Sequence, residues 1–214
     1  MKFSSTVIVV LSSLVFLAII LGNYRILVFN NGYYLDELQG SVAAYQYNSS
    51  FVEDVVSATI DFHKGNGNRL SIYFNQQEMS HLSDVKSRIA FFNYLFYFSI
   101  SALAVILFTL LRQEKNFAQI AASSAAWGSA AVLAVAAFIS IASSYFSQLF
   151  TGFHIIFFPS GNWAFPESSL LVTVFNEKFF YSFLYRIALN SAITAAVLLA
   201  ASLAFLHGKK WLRQ

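Results

Sequence analysis

The stretch NQQEMSHLSDVKSRIAFFNYLFYFSISALAVILFTLL, residues 75–111, joins a polar segment directly to an apolar one. Asn75 is followed three residues later by Glu78, a spacing that resembles the capping box of a helix N-terminus. Residues 89–111 are almost entirely apolar, and a membrane-spanning helix needs about 20 such residues. The stretch therefore predicts one helix that starts near Gln76, stands above a membrane for about three turns and then crosses it.

The composition of the whole chain agrees with a membrane location. Of its 214 residues, 57% are hydrophobic and only 11% are charged, whereas a soluble domain carries about 25% charged residues. The absence of cysteine excludes disulfides, thiolate metal sites and a cysteine nucleophile. No basic cluster is typical of nucleic-acid binding, so no nucleic-acid partner is predicted.

Four apolar stretches are long enough to span a bilayer, and they predict a single membrane domain over residues 1–214. The first stretch is interpreted as an uncleaved anchor, because GNYRILVF follows it where a signal peptide would have small residues for cleavage. The predicted spans cover residues 4–29, 89–111, 117–142 and 184–206.

Charge at the ends of the spans predicts the orientation, because cytoplasmic segments are enriched in Lys and Arg. The two termini and the loop between the second and third spans would lie on one side of the membrane. The remaining segments carry seven basic and nine acidic residues, a net charge of −2. The first side has a net charge of +5, from these basic residues against Glu114: Lys2, Arg112, Lys115, Lys209, Lys210 and Arg213. Both termini are therefore predicted to be cytoplasmic, with residues 30–88 and 143–183 outside.

The outer segments are expected to be small and mostly helical. Apolar residues between Phe51 and Phe62 recur at nearly helical spacing, and LSIYF, residues 70–74, favours a short strand. The predicted fold class is thus a mainly α integral membrane protein with four transmembrane helices. Its extracytoplasmic part would contain a stalk helix and short strands.

Two histidines of these segments are candidates for chemistry. His81 lies on the predicted stalk, with Glu78 and Asp84 three residues to either side and so on roughly the same face. His154 lies in FHIIFFPSGNWAF, residues 153–165, whose aromatic residues favour the membrane–water interface. Both would then lie at similar height, although His81 could simply be a solvated histidine of the stalk and His154 a core histidine with one backbone partner. His63, in a glycine-flanked segment, is expected to be exposed.

The absence of several sequence motifs argues against the catalytic mechanisms that use them. The chain has no nucleophile elbow, no P-loop and no HExxH motif. Acyl transfer from an ester to an amine remains, since it needs only proton transfer and positioning. A metal-dependent membrane hydrolase that uses the same histidines, and a non-enzymatic sensor or assembly protein, are the alternatives.

Two motifs resemble a known family. EMSHLSDVK, residues 78–86, is similar to a signature that precedes a span, and FHIIFFPSGNWAF followed by SSLLVTVFNEKFF, residues 168–180, is similar to a second one. In order, spacing and topology the chain resembles the bacterial lipoprotein intramolecular transacylases, Lit. It departs from that pattern at Asn176, where the family would have a proline before Glu177.

The resemblance implies a bacterial cell-membrane enzyme whose active site faces the extracytoplasmic side. Its partners would be membrane lipid and a diacylglyceryl lipoprotein, whose sn-2 acyl chain would move to the α-amine of the N-terminal cysteine to give the lyso form. No cofactor or metal is implied, and the oligomeric state is left open. The family's two histidines correspond to His81 and His154.

The residues around the histidines suggest supporting roles. A carboxylate can fix the tautomer of an imidazole, so Asp84 and Glu78 are the candidates for orienting His81. Amide or backbone N–H groups can stabilise an oxyanion. The candidates for binding substrate or oxyanion are Asn162, Gly161 and Trp163. The sequence does not decide which histidine is the base and which the acid.

Overall fold

The computed structural model describes residues 2–39, 41–67 and 69–211, and these residues form helices joined by short turns, with no strand among them. Arg213, one of the basic residues used for orientation, lies outside these ranges. The helices are α1 (Lys2–Val28), α2 (Asn31–Leu38), α3 (Val42–Gln46), α4 (Ser49–Lys64), α5 (Gln76–Gln113), α6 (Phe117–Ala142), α7 (Phe146–Phe157), α8 (Leu170–Val174) and α9 (Glu177–Trp211).

Four helical segments are long and apolar enough to cross a membrane: residues 5–28, 76–113, 117–157 and 177–208. The predicted fold class, a mainly α membrane protein with four such helices, is therefore confirmed. The chain divides into two compact units: a first unit of residues 1–24, 92–141 and 186–214, and a second unit of residues 25–91 and 142–185.

Small residues pack the first unit. A Cβ atom on Gly128 of α6 would lie 2.7 Å from the backbone oxygen of Ser12 and 2.8 Å from the side chain of Val15 on α1. Ser124, one turn before Gly128, is fully buried. Close backbone approach of this kind is how membrane helices gain van der Waals contact.

Large apolar side chains fill the second unit. Helix α4 is capped by Asn48, whose side chain accepts the N–H of Phe51, which confirms the helix predicted from the apolar spacing of this segment. Its buried face meets aromatic residues from α2 and α9 and the segments between. This core contains Tyr34, Val55, Val56, Leu70, Phe74, Val174, Phe175 and Phe179.

The capping box at the start of α5 is confirmed. The N–H of Asn75 donates to Oε2 of Glu78 at 2.9 Å, and the N–H of Glu78 donates to Oδ1 of Asn75 at 3.0 Å. The other carboxylate oxygen of Glu78 accepts the N–H of Leu171 on α8 at 3.3 Å. One buried carboxylate therefore fixes the beginning of α5 and connects it to a segment 93 residues away.

The short strand expected over residues 70–74 is wrong. Arg69–Ile72 forms a turn of 3-10 helix, and Leu70 and Phe74 are both buried in the core of the second unit. A lone strand would leave its backbone N–H and C=O groups without a ladder partner, whereas a helical turn satisfies part of them locally.

The exposed position expected for His63 is also wrong. Helix α4 continues to Lys64 and ends at Gly65, which has a left-handed φ of +87°. His63 therefore lies on the last helical turn, and both of its ring nitrogens are buried.

Asn176, which stands where the family pattern has a proline, has a structural role at the start of α9. Its side-chain oxygen accepts the N–H of Phe179 at 3.0 Å, which is the bond that an N-cap residue makes. Asparagine thus begins this helix by capping it.

Candidate active site

His81 and His154 meet in the second unit. His81 lies on the second turn of α5 and His154 on α7, and their ring centroids are 5.9 Å apart with the ring planes 25° from parallel. Each residue is only 8% exposed. The structure thus brings together the two histidines that the sequence singled out.

Aromatic side chains enclose this pair. The ring centroid of His81 lies 4.7 Å from that of Phe158 and 5.6 Å from that of Phe165. The ring of His154 lies 4.3 Å from Phe150 and 5.0 Å from Trp163. The aromatic face of the site is therefore apolar, and such an environment suits a lipid chain better than water.

The backbone of α7 fixes the tautomer of His154. Its Nδ1 lies 2.8 Å from the carbonyl oxygen of Phe150, one turn earlier. A carbonyl oxygen only accepts hydrogen bonds, so Nδ1 carries the hydrogen and donates it. The lone pair of the neutral ring is therefore on Nε2, which becomes the basic atom.

The polar side of the site is a small network around Asn162. Nδ2 of Asn162 donates to Oδ2 of Asp84 at 2.8 Å and to the hydroxyl oxygen of Ser80 at 3.3 Å. The hydroxyl of Ser160 donates to Oδ1 of Asn162 at 3.0 Å. Hydrogen bonding to the side chain of Asn162 raises the pKa of His81.

A tight turn brings Asn162 to this place. Gly161 has a left-handed φ of +73°, a conformation that residues with a Cβ atom adopt only with strain. Its N–H donates to the carbonyl oxygen of Phe158 at 3.1 Å and closes the turn. The sequence-predicted Gly161, Asn162 and Trp163 are thus all near the histidines.

Two of the expected roles do not match these hydrogen bonds. The side-chain N–H groups of Asn162 and the backbone N–H of Gly161 already have acceptors, so the structure does not leave them free for an oxyanion. Glu78 binds the backbone N–H groups of Asn75 and Leu171 instead of orienting His81.

Burial keeps both histidines neutral near pH 7. Burial, followed by the neighbouring His154, lowers the pKa of His81 to about 4, while Asp84 and Asn162 act in the opposite direction. Burial also lowers the pKa of His154, against the hydrogen bond to Phe150, which raises it. A neutral imidazole has a free lone pair and can accept a proton.

Several residues of this site carried no signal that sequence reasoning used. Ser80 and Ser160 hold the amide of Asn162, and the carbonyl of Phe150 sets the tautomer of His154. The position of Phe150, one turn before His154, would have indicated the last of these had α7 been predicted. Within the described ranges, no group of three or more His, Asp or Glu residues could hold a metal ion.

Comparison with known proteins shows the family of this chain. The family model described as lipoprotein intramolecular transacylase Lit matches residues 8–180. The chain belongs to the Lit family. It is therefore an acyltransferase of the membrane, and the family name gives a lipoprotein as its substrate.

Solved structures of the Lit family share the fold. The in meso structure of the membrane integral lipoprotein intramolecular transacylase Lit from Bacillus cereus superposes with a TM-score of 0.81 at 15% identity, and the match covers 99% of each chain. A histidine-to-arginine variant of that protein gives a TM-score of 0.77 at 16% identity, over 100% of this chain and 96% of the other. A histidine-to-alanine variant gives 0.77 at 15%, over 98% and 96%. No curated protein sequence matches the chain.

Proposed function

We propose that this Lit-family enzyme moves the sn-2 acyl chain of a diacylglyceryl lipoprotein onto the α-amine of its N-terminal cysteine, with His81 and His154 as the acid–base pair. The observation that carries this proposal is the approach of the two buried imidazoles, 5.9 Å between centroids, within an aromatic enclosure. The product is the N-acyl, S-monoacylglyceryl form of the lipoprotein.

The reaction balances within one substrate molecule. The amine nitrogen attacks the ester carbonyl, a C–N bond forms, and the amine proton goes to an imidazole. The C–O bond to glycerol then breaks, and the glyceryl oxygen receives a proton. No net proton, electron or cofactor is consumed, because an ester and an amine become an amide and an alcohol.

We assign the amine proton to Nε2 of His154. Burial lowers the pKa of both imidazoles, but His81 is lowered further by the presence of His154. A base is most effective when its pKa lies near the working pH, which favours His154 as acceptor. His81 supplies the second proton-carrying ring, so that a proton can be held near the glyceryl oxygen as well as near the nitrogen.

Proton transfer and substrate positioning both increase the rate of acyl transfer over that of the uncatalysed reaction. Acid–base help of this kind contributes about 10²–10⁴-fold. The amine and the ester belong to one molecule, and holding them in a reactive geometry can contribute as much again or more. The site therefore has to fold the substrate correctly as well as move a proton.

The aromatic enclosure serves this folding. Phe158, Phe165 and Trp163 lie against the imidazoles and offer apolar surface to the acyl chain that is transferred. The same surface excludes water from the ester, and this favours transfer to the amine over hydrolysis.

The site also belongs at a membrane surface in this proposal. Helix α7 contains no Asp, Glu, Lys or Arg, and Ile155 and Ile156 on it are largely exposed. Apolar side chains on this face would lie in the outer leaflet, at the depth of the ester groups of lipids. With both termini cytoplasmic, the chain would act as one membrane domain whose active site is extracytoplasmic.

The reaction is tested with purified protein in nanodiscs and a synthetic diacylated lipopeptide whose sn-2 chain is isotopically labelled. Total mass does not change, so tandem mass spectrometry is used to locate the labelled chain. The proposal predicts that the label appears on the cysteine nitrogen, and that a His207→Gln control behaves as wild type. A label that remains on glycerol, or is released as free fatty acid, would refute the transfer.

The orientation has its own test, made simple by the lack of native cysteine. Single cysteines at the exposed positions Asn66 and Gln113 would be treated with a membrane-impermeant maleimide in intact spheroplasts. The proposal predicts labelling of Asn66→Cys alone. Labelling of Gln113→Cys alone would invert the topology.

A further inference from the structure

We propose that Asp84 acts on His81 through Asn162: the carboxylate fixes the direction of the amide, and the amide carbonyl fixes the tautomer of the imidazole. The three groups are called the amide clamp below. This inference rests on the proposed function, since it assigns two positioning residues to the same reaction. It replaces both the direct contact expected between Asp84 and His81 and the oxyanion role expected for the Asn162 side chain.

The first step is the direction of the amide. A carboxylate has no hydrogen to donate, so the group that lies 2.8 Å from Oδ2 of Asp84 must be the NH₂ of Asn162. The hydroxyl of Ser160, which can donate or accept, lies at the other end of the amide, 3.0 Å from Oδ1. The carboxylate of Asp84 is therefore the neighbour that excludes the flipped amide.

The second step is the ring nitrogen that meets the amide. Nδ1 of His81 is buried and has no hydrogen-bond partner among the residues that the structure describes. In the proposed clamp, the side chain of Asn162, which raises the pKa of His81, therefore meets the ring at Nε2. Both hydrogens of the amide NH₂ already have acceptors in Asp84 and Ser80. The carbonyl end is left to meet the ring, and Nε2 of His81 carries the hydrogen.

The two imidazoles are thus held in opposite tautomers. His154 donates from Nδ1 to the carbonyl of Phe150, and His81 donates from Nε2 to the carbonyl of Asn162. Each ring has one nitrogen anchored to the protein and one lone pair. The negative charge of Asp84 also favours the protonated form of His81, so the clamp stabilises the ring when it holds a proton during transfer.

The clamp differs from a purely structural network in what its loss would change. Asp84 and Asn162 are assigned to the orientation of the imidazole, whereas the acyl chain is assigned to the aromatic enclosure. Their removal should therefore lower kcat and leave KM nearly unchanged. Mutation of a residue that orients a metal-bound imidazole typically lowers activity or metal affinity by about 10–100-fold. We expect kcat to fall by a factor of that size.

The test combines ¹⁵N NMR of ring-labelled histidines with acyl-transfer kinetics on the full chain in nanodiscs. The variants are Asp84→Ala and Asn162→Ala, with Ser87→Ala as the matched control, because Ser87 is exposed on the same helix and its hydroxyl donates to the backbone of Ser83. His81 signals are assigned by their loss in His81→Gln. Asp84→Glu tests whether a carboxylate on a longer side chain restores function.

The clamp predicts that His81 is protonated at Nε2 in the wild type and in Ser87→Ala, and is a mixture of tautomers in Asp84→Ala and Asn162→Ala. Signals of His154 should not move, which shows that the variants are folded, and Asp84→Glu should recover part of kcat. An unchanged His81 tautomer in both alanine variants would overturn the inference. A changed tautomer with unchanged acyl transfer would uphold the clamp and refute the role proposed for His81.

Discussion

The second unit buries histidine in two different ways. At the site, His81 and His154 lie side by side, each with a polar neighbour that holds one ring nitrogen. On α4, His63 is half-buried with buried ring nitrogens, and Lys86 and the backbone of Leu82 influence its charge. Burial, followed by the charge of Lys86, lowers the pKa of His63 to about 4, against the backbone of Leu82, which raises it.

The difference shows that a lowered pKa does not by itself indicate catalysis. The pKa of both His63 and His81 is about 4, yet of these two only His81 lies beside a second imidazole, and only His81 is proposed to act in the reaction. Position and hydrogen-bond partners, rather than burial, distinguish the site.

The largest predicted effect separates the two environments directly. His154→Gln should reduce the rate of acyl transfer by about 10²–10⁴-fold, because it removes a proton acceptor from the reacting atoms. His63→Gln should leave the rate within about twofold, since the groups that act on His63, Lys86 and the backbone of Leu82, have no role in the proposed reaction. The measurement is the initial rate of N-acyl product formation by wild type and both variants. Equal losses in the two variants would end the distinction.

The second prediction removes support from the pair without touching an imidazole. Glu78 is only 3% exposed, and its truncation in Glu78→Ala leaves the N–H groups of Asn75 and Leu171 without their acceptor. The expected cost is about 2–4 kcal/mol of stability, from one lost cap and unsatisfied buried groups.

Thermal unfolding in detergent measures this cost, and Glu53→Ala, on the exposed side of α4, is the matched control. An unchanged Tm for Glu78→Ala would show that the carboxylate does not hold α5 and α8 together.

The third prediction concerns the pH dependence of stability that His63 causes. The folded pKa of His63 is about 4, below the value of about 6.5 for the unfolded chain. The unfolded state therefore binds more protons in this range, and stability is complete above pH 6.5 and falls as the pH decreases toward 4.

Each unit of pKa difference is worth about 1.4 kcal/mol. Tm recorded between pH 7 and pH 4 should fall less in His63→Gln than in wild type. Parallel curves for the two proteins would show that His63 is not a buried neutral base.

The smallest predicted effect refines the environment of His63. The Nζ atom of Lys86 lies 4.4 Å from the ring centroid of Phe62, and its charge is the second cause of the lowered pKa of His63. Lys86→Met should therefore raise the pKa of His63, though by less than burial lowers it. NMR titration of His63 measures the shift, with Arg69→Met as the exposed control. A shift downward would contradict the assigned cause.

Local patterns predicted part of this molecule well. The capping pair Asn75 and Glu78, followed by an apolar run, gave the start of α5 and its continuation, because both signals lie within one helix. The spacing in residues 51–62 gave α4 for the same reason.

Other parts depend on contacts that no local pattern contains. The bond between Asn162 and Asp84 joins residues 78 apart, and that between Leu171 and Glu78 joins residues 93 apart. Helix α7 was not predicted, because its aromatic and glycine content is not typical of helices, and tertiary packing decides it. The strand expected at Leu70 failed because burial, not β propensity, determines that segment.

The central claim is that His81 and His154 act as one unit, and a double-mutant cycle tests it most directly. The rates of N-acyl formation would be compared for wild type, His81→Gln, His154→Gln and the double variant. Residues that act as a unit are strongly non-additive, so the double variant should be about as slow as the slower single variant. A double variant whose loss equals the product of the two single losses would show that the histidines contribute independently, and would contradict the account.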